Sequence, residues 1–186
     1  MPDLKGLRVA ILATDGVEQA ELTEPRKFLD NAGAKTTLFA PKSGQIQAMQ
    51  HSEKGDKLKV DQEISQADPS NFDAVVLPGG VANADHLRMN EDARRFVREM
   101  QKAAKPIAAI CHAPWLLISA GLVKGRKMTS YYTVQDDLRN AGAQWSDEEV
   151  VRDNNWVTSR QPSDIPAFNN AMAELFTLHS KNNQAA

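Results

Sequence analysis

Three short apolar runs constrain the fold of this chain more than any other feature: Leu7 to Ala13 (LRVAILA), Asp73 to Leu77 (DAVVL) and Pro106 to Ile110 (PIAAI). None alternates apolar with polar residues, so each reads as a strand buried on both faces. Segments of helical spacing lie between them. One runs from Glu21 to Ala32 and stops at Gly33; another runs from Asn90 to Ala103, with Phe96, Val97 and Met100 on one side. Lys35 to Ala40 (KTTLFA) reads as a second strand, and the polar stretch from Gly44 to Asp61 as a small hairpin excursion. Farther on, His112 to Ala120, Val134 to Ala141 and Ser163 to Leu178 read as helices, the last with Ser163 as its N-cap. Val150-Val151 and Trp156 to Thr158 are short strands around an Asp153-Asn154-Asn155 turn. Strands alternating with helices demand a mostly parallel α/β sheet covered on both faces.

In such a sheet the functional crevice lies beyond the carboxyl ends of the strands. Three loops leave apolar strands in that direction: Thr14 to Glu21, Pro78 to Asp85 and Cys111 to Pro114. The third belongs to AAICHAP, which holds the only cysteine of the chain. A strand that turns sharply into a helix lifts the residue at the turn above the sheet, as in a nucleophile elbow. The start of a helix there favours thiolate over thiol and lowers the pKa of Cys111. His112 offers an imidazole, although its ring need not face the thiol, and a backbone N–H suited to an oxyanion. Pro78-Gly79-Gly80 supplies a second turn where backbone can approach a substrate.

Glu18 and Glu21 are spaced i, i+3, so a helical turn places both on one face. Either carboxyl would be near the elbow if the first strand neighbours the Cys111 strand. Held protonated by burial, it would donate a hydrogen bond to the sulfur. Asp85 and His86 follow the glycine turn, as partners for His112 or as plain surface residues; His51 and His179 read as surface residues.

The rest of the composition excludes more than it proposes. A net charge of −2 gives no footprint for nucleic acid. No apolar run is long enough to span a bilayer, and the N-terminus lacks the pattern of a secretory signal. A single cysteine makes no internal disulfide, which fits a cytoplasmic setting. There is no Cys/His cluster for zinc, no GxGxxG and no P-loop, so no metal, nucleotide or flavin is expected.

VVLPGG (Val75 to Gly80), AAICHAPWLLISAGLVKGRKMTS (Ala108 to Ser130), AGAQW (Ala141 to Trp145) and VTSRQPSDIPAF (Val157 to Phe168) together resemble the PfpI family. That family belongs to the class I glutamine amidotransferase-like superfamily, alongside the parkinsonism-associated deglycase. The resemblance covers nearly the whole chain and implies one domain over 1–180, with 181–186 as a disordered tail. It implies a flavodoxin-like three-layer α/β/α sandwich with a doubly wound sheet, Cys111 at the elbow, and a glutamate of the first loop on its thiol. Glu21 is the first choice for that glutamate and Glu18 the second. The oxyanion donors carry over to the N–H groups of Gly80 and His112. An acid of a neighbouring subunit orients His112, and Asp85 is the nearest match for it, in a loop one residue longer than in some relatives. No downstream His-x-Glu pair follows, which argues against a complete glutaminase triad. The resemblance further implies a homodimer or homohexamer without cofactor. The expected function is a general stress protein acting on glyoxals or glycated substrates, with an intracellular cysteine peptidase or amidase and a redox-sensing, chaperone-like protein as alternatives.

Overall fold

The computed structural model describes residues 2–184, with side chains as far as Ser180. From the N-terminus the chain forms β1 (Arg8–Leu12), β2 (Val17–Glu18), α1 (Gln19–Asn31) and β3 (Lys35–Ala40), then β4 (Gln45–Gln50), β5 (Glu53–Lys59) and β6 (Gln62–Glu63). The middle contains β7 (Ala74–Leu77), α2 (Val81–Met89), α3 (Glu91–Lys102), β8 (Ile107–Ile110) and α4 (Pro114–Ser119). The last third forms β9 (Lys127–Met128), α5 (Gln135–Asn140), β10 (Gln144–Trp145), β11 (Val150–Asp153), β12 (Trp156–Ser159) and α6 (Ile165–Gln184).

Seven strands make one sheet in the order β11-β12-β8-β7-β1-β3-β6. All neighbours pair in parallel except β11 and β12, the hairpin that turns at Asn154. The apolar runs have no polar side because both faces are covered. Val9 and Ile11 of β1 pack with Leu22 and Leu29 of α1 and Phe168, Met172 and Phe176 of α6. Ala10 and Leu12 pack on the other face with Phe96, Val97 and Met100 of α3 and Leu116 and Leu117 of α4. This is the expected three-layer sandwich.

The order also reveals where the chain changes direction. It steps from β1 outward to β3, then returns to β7 on the other side of β1, so a topological switch point lies between β1 and β7. Ligand sites of doubly wound sheets form at such points. The first strand therefore adjoins β7, not the strand that carries Cys111, against the adjacency first considered for Glu18 and Glu21.

Three other details differ from the sequence reading. The segment after Gly80 is a helix, α2, rather than a loop, and it starts at once at Val81. Ser163 does not cap the last helix: a 3-10 turn, Pro162–Asp164, precedes it, and the Ser163 hydroxyl accepts from Gln161 Nε2 at 3.0 Å. The backbone of α6 stays helical to Gln184, through four of the six positions expected as tail, while Ala185 and Ala186 lie outside the described residues. The polar excursion is the expected hairpin of β4 and β5, but it does not stand alone. It joins β2 in a small second sheet through Val17 beside Ala48 and Glu18 beside Met49. Among the described residues no helix is long and apolar enough to cross a membrane.

Candidate active site

Strand β8 ends at Ile110, and the next residue, Cys111, has φ +63°. The left-handed region costs a non-glycine residue about 1–2 kcal/mol, so neighbours must impose it. Two hydrogen bonds do so: the Cys111 N–H donates to Ser159 O at 3.1 Å, and its carbonyl accepts from Tyr131 N at 2.9 Å. One tie reaches the next strand and the other a distant loop, so the turn is locked from both sides.

The glycine turn after β7 supplies the room. A Cβ on Gly79 would lie 2.6 Å from Cys111 Cβ and also collide with Glu21 Oε2. Gly80 has φ +90°, and a Cβ there would stand 2.6 Å from Glu18 N. Both glycines are demanded by the close approach of three chain segments. The N–H groups of Gly80 and His112 are hydrogen-bonding neighbours of the Cys111 sulfur, the pair expected to hold an oxyanion.

Glu21 stands on α1 and is fully buried. Its Oε2 accepts from the Gly79 N–H at 2.8 Å, which bridges the switch point and brings the carboxyl to the elbow without β1 touching β8. Its Oε1 has no partner of good geometry, although the carboxyl and the Cys111 thiol are within hydrogen-bonding reach. A buried, orphaned oxygen is costly for a carboxylate and free of cost once it carries a proton aimed at the sulfur. Burial pushes this carboxyl up to about 8, with the Glu18 charge adding to the rise and the Cys111 and Gly79 hydrogen bonds opposing it. Glu18 is only half-buried, accepts from the His51 N–H at 3.1 Å and does not hold the thiol.

The lowered thiol pKa expected from the helix start is not what the site produces. Cys111 is only 6% exposed, and burial raises it above its ordinary value; a charged Glu21 raises it further. The Gly80 and His112 N–H groups pull the other way. Helix α4 begins only at Pro114 and is six residues long, so its end lies past the sulfur. The proton on Glu21 decides how much of the rise remains. Near neutral pH that carboxyl is protonated, its repulsion is gone, and its O–H faces the sulfur. The two groups titrate as a pair, and a protonated Glu21 removes one of the causes that hold the thiol up.

The His112 ring does face the thiol. Its Nδ1 lies 3.1 Å from Cys111 Sγ, and its Nε2 lies 3.3 Å from Thr133 Oγ1. Tyr131 stacks on the imidazole with ring centroids 4.9 Å apart, and Trp115 meets it edge-on at 5.2 Å. Burial lowers the pKa of His112, so the ring is neutral at physiological pH. Within this chain Asp85 is exposed on α2 and lies outside the lining of the cleft.

A cleft of about 1130 Å³ opens above the elbow. Its titratable lining includes the acids Glu18 and Glu21 and the imidazoles of His51 and His112, and among the described residues no Lys or Arg lines it. His51, read from sequence as a surface residue, is exposed and also forms part of this wall. The ring of aromatic residues Trp115, Tyr131 and Tyr132, together with Thr133, was missed in the sequence. The one available signal was the Tyr131-Tyr132 pair in a connection where two aromatic side chains have little reason to sit unless they pack on something. Among the described residues no three His, Cys, Asp or Glu side chains gather as metal ligands would.

Comparison with known proteins gives a consistent picture. The pattern of the DJ-1/PfpI family matches residues 7–175. Deglycase TK1284 of Thermococcus kodakarensis is 43% identical over 162 residues, covering 87% of this chain and 95% of its own. A protein named putative cysteine protease YraA, of Bacillus subtilis, is 40% identical over 162 residues, covering 87% of this chain and 94% of its own. The crystal structure of Drosophila melanogaster DJ-1beta superposes with a TM-score of 0.82 at 26% identity, covering 97% of this chain and 98% of that one.

Proposed function

We propose a function from one premise: this chain belongs to the DJ-1/PfpI family. It is an enzyme of that family whose Cys111 attacks reactive carbonyls, glyoxals or the adducts that glyoxals form on amines. The observation that carries this reading is the buried Glu21 carboxyl, tied to Gly79 and set beside the sulfur with a raised affinity for its proton. The names of the relatives support it: several are deglycases.

The first step needs only groups already in contact. His112 Nδ1, 3.1 Å away, takes the thiol proton while Glu21 donates to the sulfur. The thiolate electron pair forms a C–S bond to the aldehyde carbon, and the carbonyl π pair moves to oxygen. The N–H groups of Gly80 and His112 hold that oxygen until the imidazolium returns a proton to it. With methylglyoxal, the hydrogen on the resulting hemithioacetal carbon leaves as a proton, and one is added at the neighbouring carbonyl carbon. The product is a thioester of a 2-hydroxy acid, which water cleaves to free the thiol. The net change is addition of one water, with no outside oxidant. With an adduct, sulfur replaces the amine nitrogen on the same carbon, and the amine leaves with the proton from His112.

The test is consumption of methylglyoxal by purified protein. Wild type should turn it over and Cys111→Ser should not; retained activity in that variant would sink the reading. A second reading, cysteine peptidase or amidase, is favoured by the width of the cleft and the name of the Bacillus relative. Rates on methylglyoxal and on a peptide amide, measured side by side, separate the two. A thiol that has to stay reduced suits the cytoplasm, and light scattering would show whether the protein is a homodimer or a homohexamer.

A further inference from the structure

We propose that Asn83 is the positioning residue of the elbow: its one amide aims the two backbone N–H groups that meet Glu21 and the Cys111 sulfur. The proposal rests on the function above insofar as the sulfur and the Gly80 N–H act in catalysis, but the geometry stands apart from it. Asn83 lies in the first turn of α2 and is fully buried. Its Oδ1 accepts from the Thr14 N–H at 2.7 Å. Its Nδ2 donates to Pro78 O at 3.0 Å and to Gly79 O at 2.9 Å. The orientation of the amide is unambiguous, because only the nitrogen can serve two carbonyls and only the oxygen can serve an N–H. All three partners are backbone groups of the two connections that leave β1 and β7, on either side of the switch point.

Each of the two carbonyls belongs to a planar peptide unit, and in a trans unit the N–H points opposite to the C=O. Pro78 O shares its plane with the Gly79 N–H, which donates to Glu21 Oε2 at 2.8 Å. Gly79 O shares its plane with the Gly80 N–H, a hydrogen-bonding neighbour of the sulfur. Fixing the two oxygens on the Asn83 side thus sends both hydrogens to the other side, where the carboxyl and the thiol stand. The second plane lies between two glycines, so it could turn over at little steric cost. Once turned, it would present oxygen instead of hydrogen to the sulfur and to an oxyanion. The Glu18 N–H also reaches Gly79 O, at the longer distance of 3.3 Å. The helix itself needs no help from this side chain, since the Ala84 N–H already donates to Gly80 O at 3.0 Å. The amide of Asn83 therefore serves the glycine turn, and through it the elbow.

The experiment compares wild type with Asn83→Ala and Leu87→Ala. Leu87 is a buried core residue of the same helix, so its variant loosens α2 but keeps the amide. Two readouts are taken. The first is the rate at which iodoacetamide alkylates Cys111, the only thiol of the chain, against pH; it needs no oxyanion and no turnover. The second is kcat and KM on methylglyoxal. Asn83→Ala should move the alkylation midpoint up by about one pH unit, since the thiolate loses a donor. Its kcat should fall about 10- to 100-fold, toward the loss of an oxyanion donor, with KM changed less than about threefold. Leu87→Ala should unfold more easily and do neither. The titratable groups around the sulfur, Glu21, Glu18, His112 and Tyr131, are untouched in both variants. A folded Asn83→Ala protein with the wild-type midpoint overturns the proposal, and so does a Leu87→Ala protein whose midpoint moves as far. If Asn83→Ala does not fold, nuclear magnetic resonance of the wild type decides. The Gly80 amide proton shift should follow the thiol titration, and both side-chain amide protons of Asn83 should resist exchange with solvent. A Gly80 shift that ignores the thiol, or freely exchanging Asn83 protons, overturns the proposal as well. A wild type inert toward methylglyoxal removes the proposed function, while alkylation and the amide protons still judge Asn83.

Discussion

Two non-glycine residues with positive φ bracket strand β8: Ala104 at +52° before it and Cys111 at +63° after it. They share a backbone conformation and almost nothing else. Ala104 is exposed in the turn that ends α3, where its N–H donates to Gln101 O and the following Lys105 N–H donates to Met100 O at 3.0 Å. This is a helix terminus of the kind glycine usually closes. Cys111 is buried, clamped by Ser159 and Tyr131, and pressed against Gly79. Strain at the first position is incidental to a chain reversal; strain at the second aims a sulfur. The difference teaches that an unusual dihedral indicates function only when the surroundings enforce it and leave no room for an alternative.

The largest test of that contrast is Gly79→Ala. The added methyl collides with Glu21 and Cys111 Cβ together, so the elbow has to shift. Activity should fall at least about 100-fold, in line with loss of oxyanion donors, and stability by about 1–3 kcal/mol, read by denaturant titration. A fully active Gly79→Ala protein would break the claim that the elbow is over-determined.

Glu21→Gln comes next. The carboxyl is raised from 4.5 to about 8 in the folded protein, so the native state binds the extra proton. Stability is therefore full below about pH 4.5 and declines as pH rises toward about 8, by an amount on the order of a few kcal/mol. Activity that needs the protonated acid should fall above about pH 8. Glutamine keeps an acceptor for Gly79 and a donor for the sulfur at every pH, so both declines should flatten in the variant. Thermal melts and rate profiles between pH 5 and 9 check this.

The smallest effect is at the other end of the strand. Ala104→Gly relieves a penalty of about 1–2 kcal/mol but adds freedom to the unfolded chain worth about 0.4–1 kcal/mol. A net gain of about 0.5 kcal/mol with unchanged activity is expected. A change in activity would show that this turn, too, bears on the site.

The layers and the elbow were legible because their signals are local. LRVAILA, DAVVL and PIAAI admit few readings, and AAICHAP places a lone thiol where a buried strand meets Pro114. The spacing of Glu18 and Glu21 left the choice open, since it is decided by Gly79, fifty-eight residues from Glu21. The grip on His112 was not legible at all: Tyr131 and Thr133 reach it from a separate connection whose course nothing in its own sequence dictates. The thiol pKa was misjudged for a related reason. A helix start is visible in sequence, but the burial that outweighs it comes from Gly79, Glu21 and Tyr131 converging. Helix α2 was missed because Gly80, Asn83 and Asp85 all favour turns in isolation, whereas buried Asn83 spends its side chain on the backbone of Thr14, Pro78 and Gly79.

The parallel pairing of β1, β7 and β8 joins segments that begin at residues 8, 74 and 107. Contacts so distant along the chain form late and slowly. A nascent or unfolded chain therefore carries an ordinary, solvated thiol, and the contacts of Cys111 with Gly80, His112 and Glu21 exist only once these distant segments have met. The proposed chemistry thus arrives with the fold and not before it.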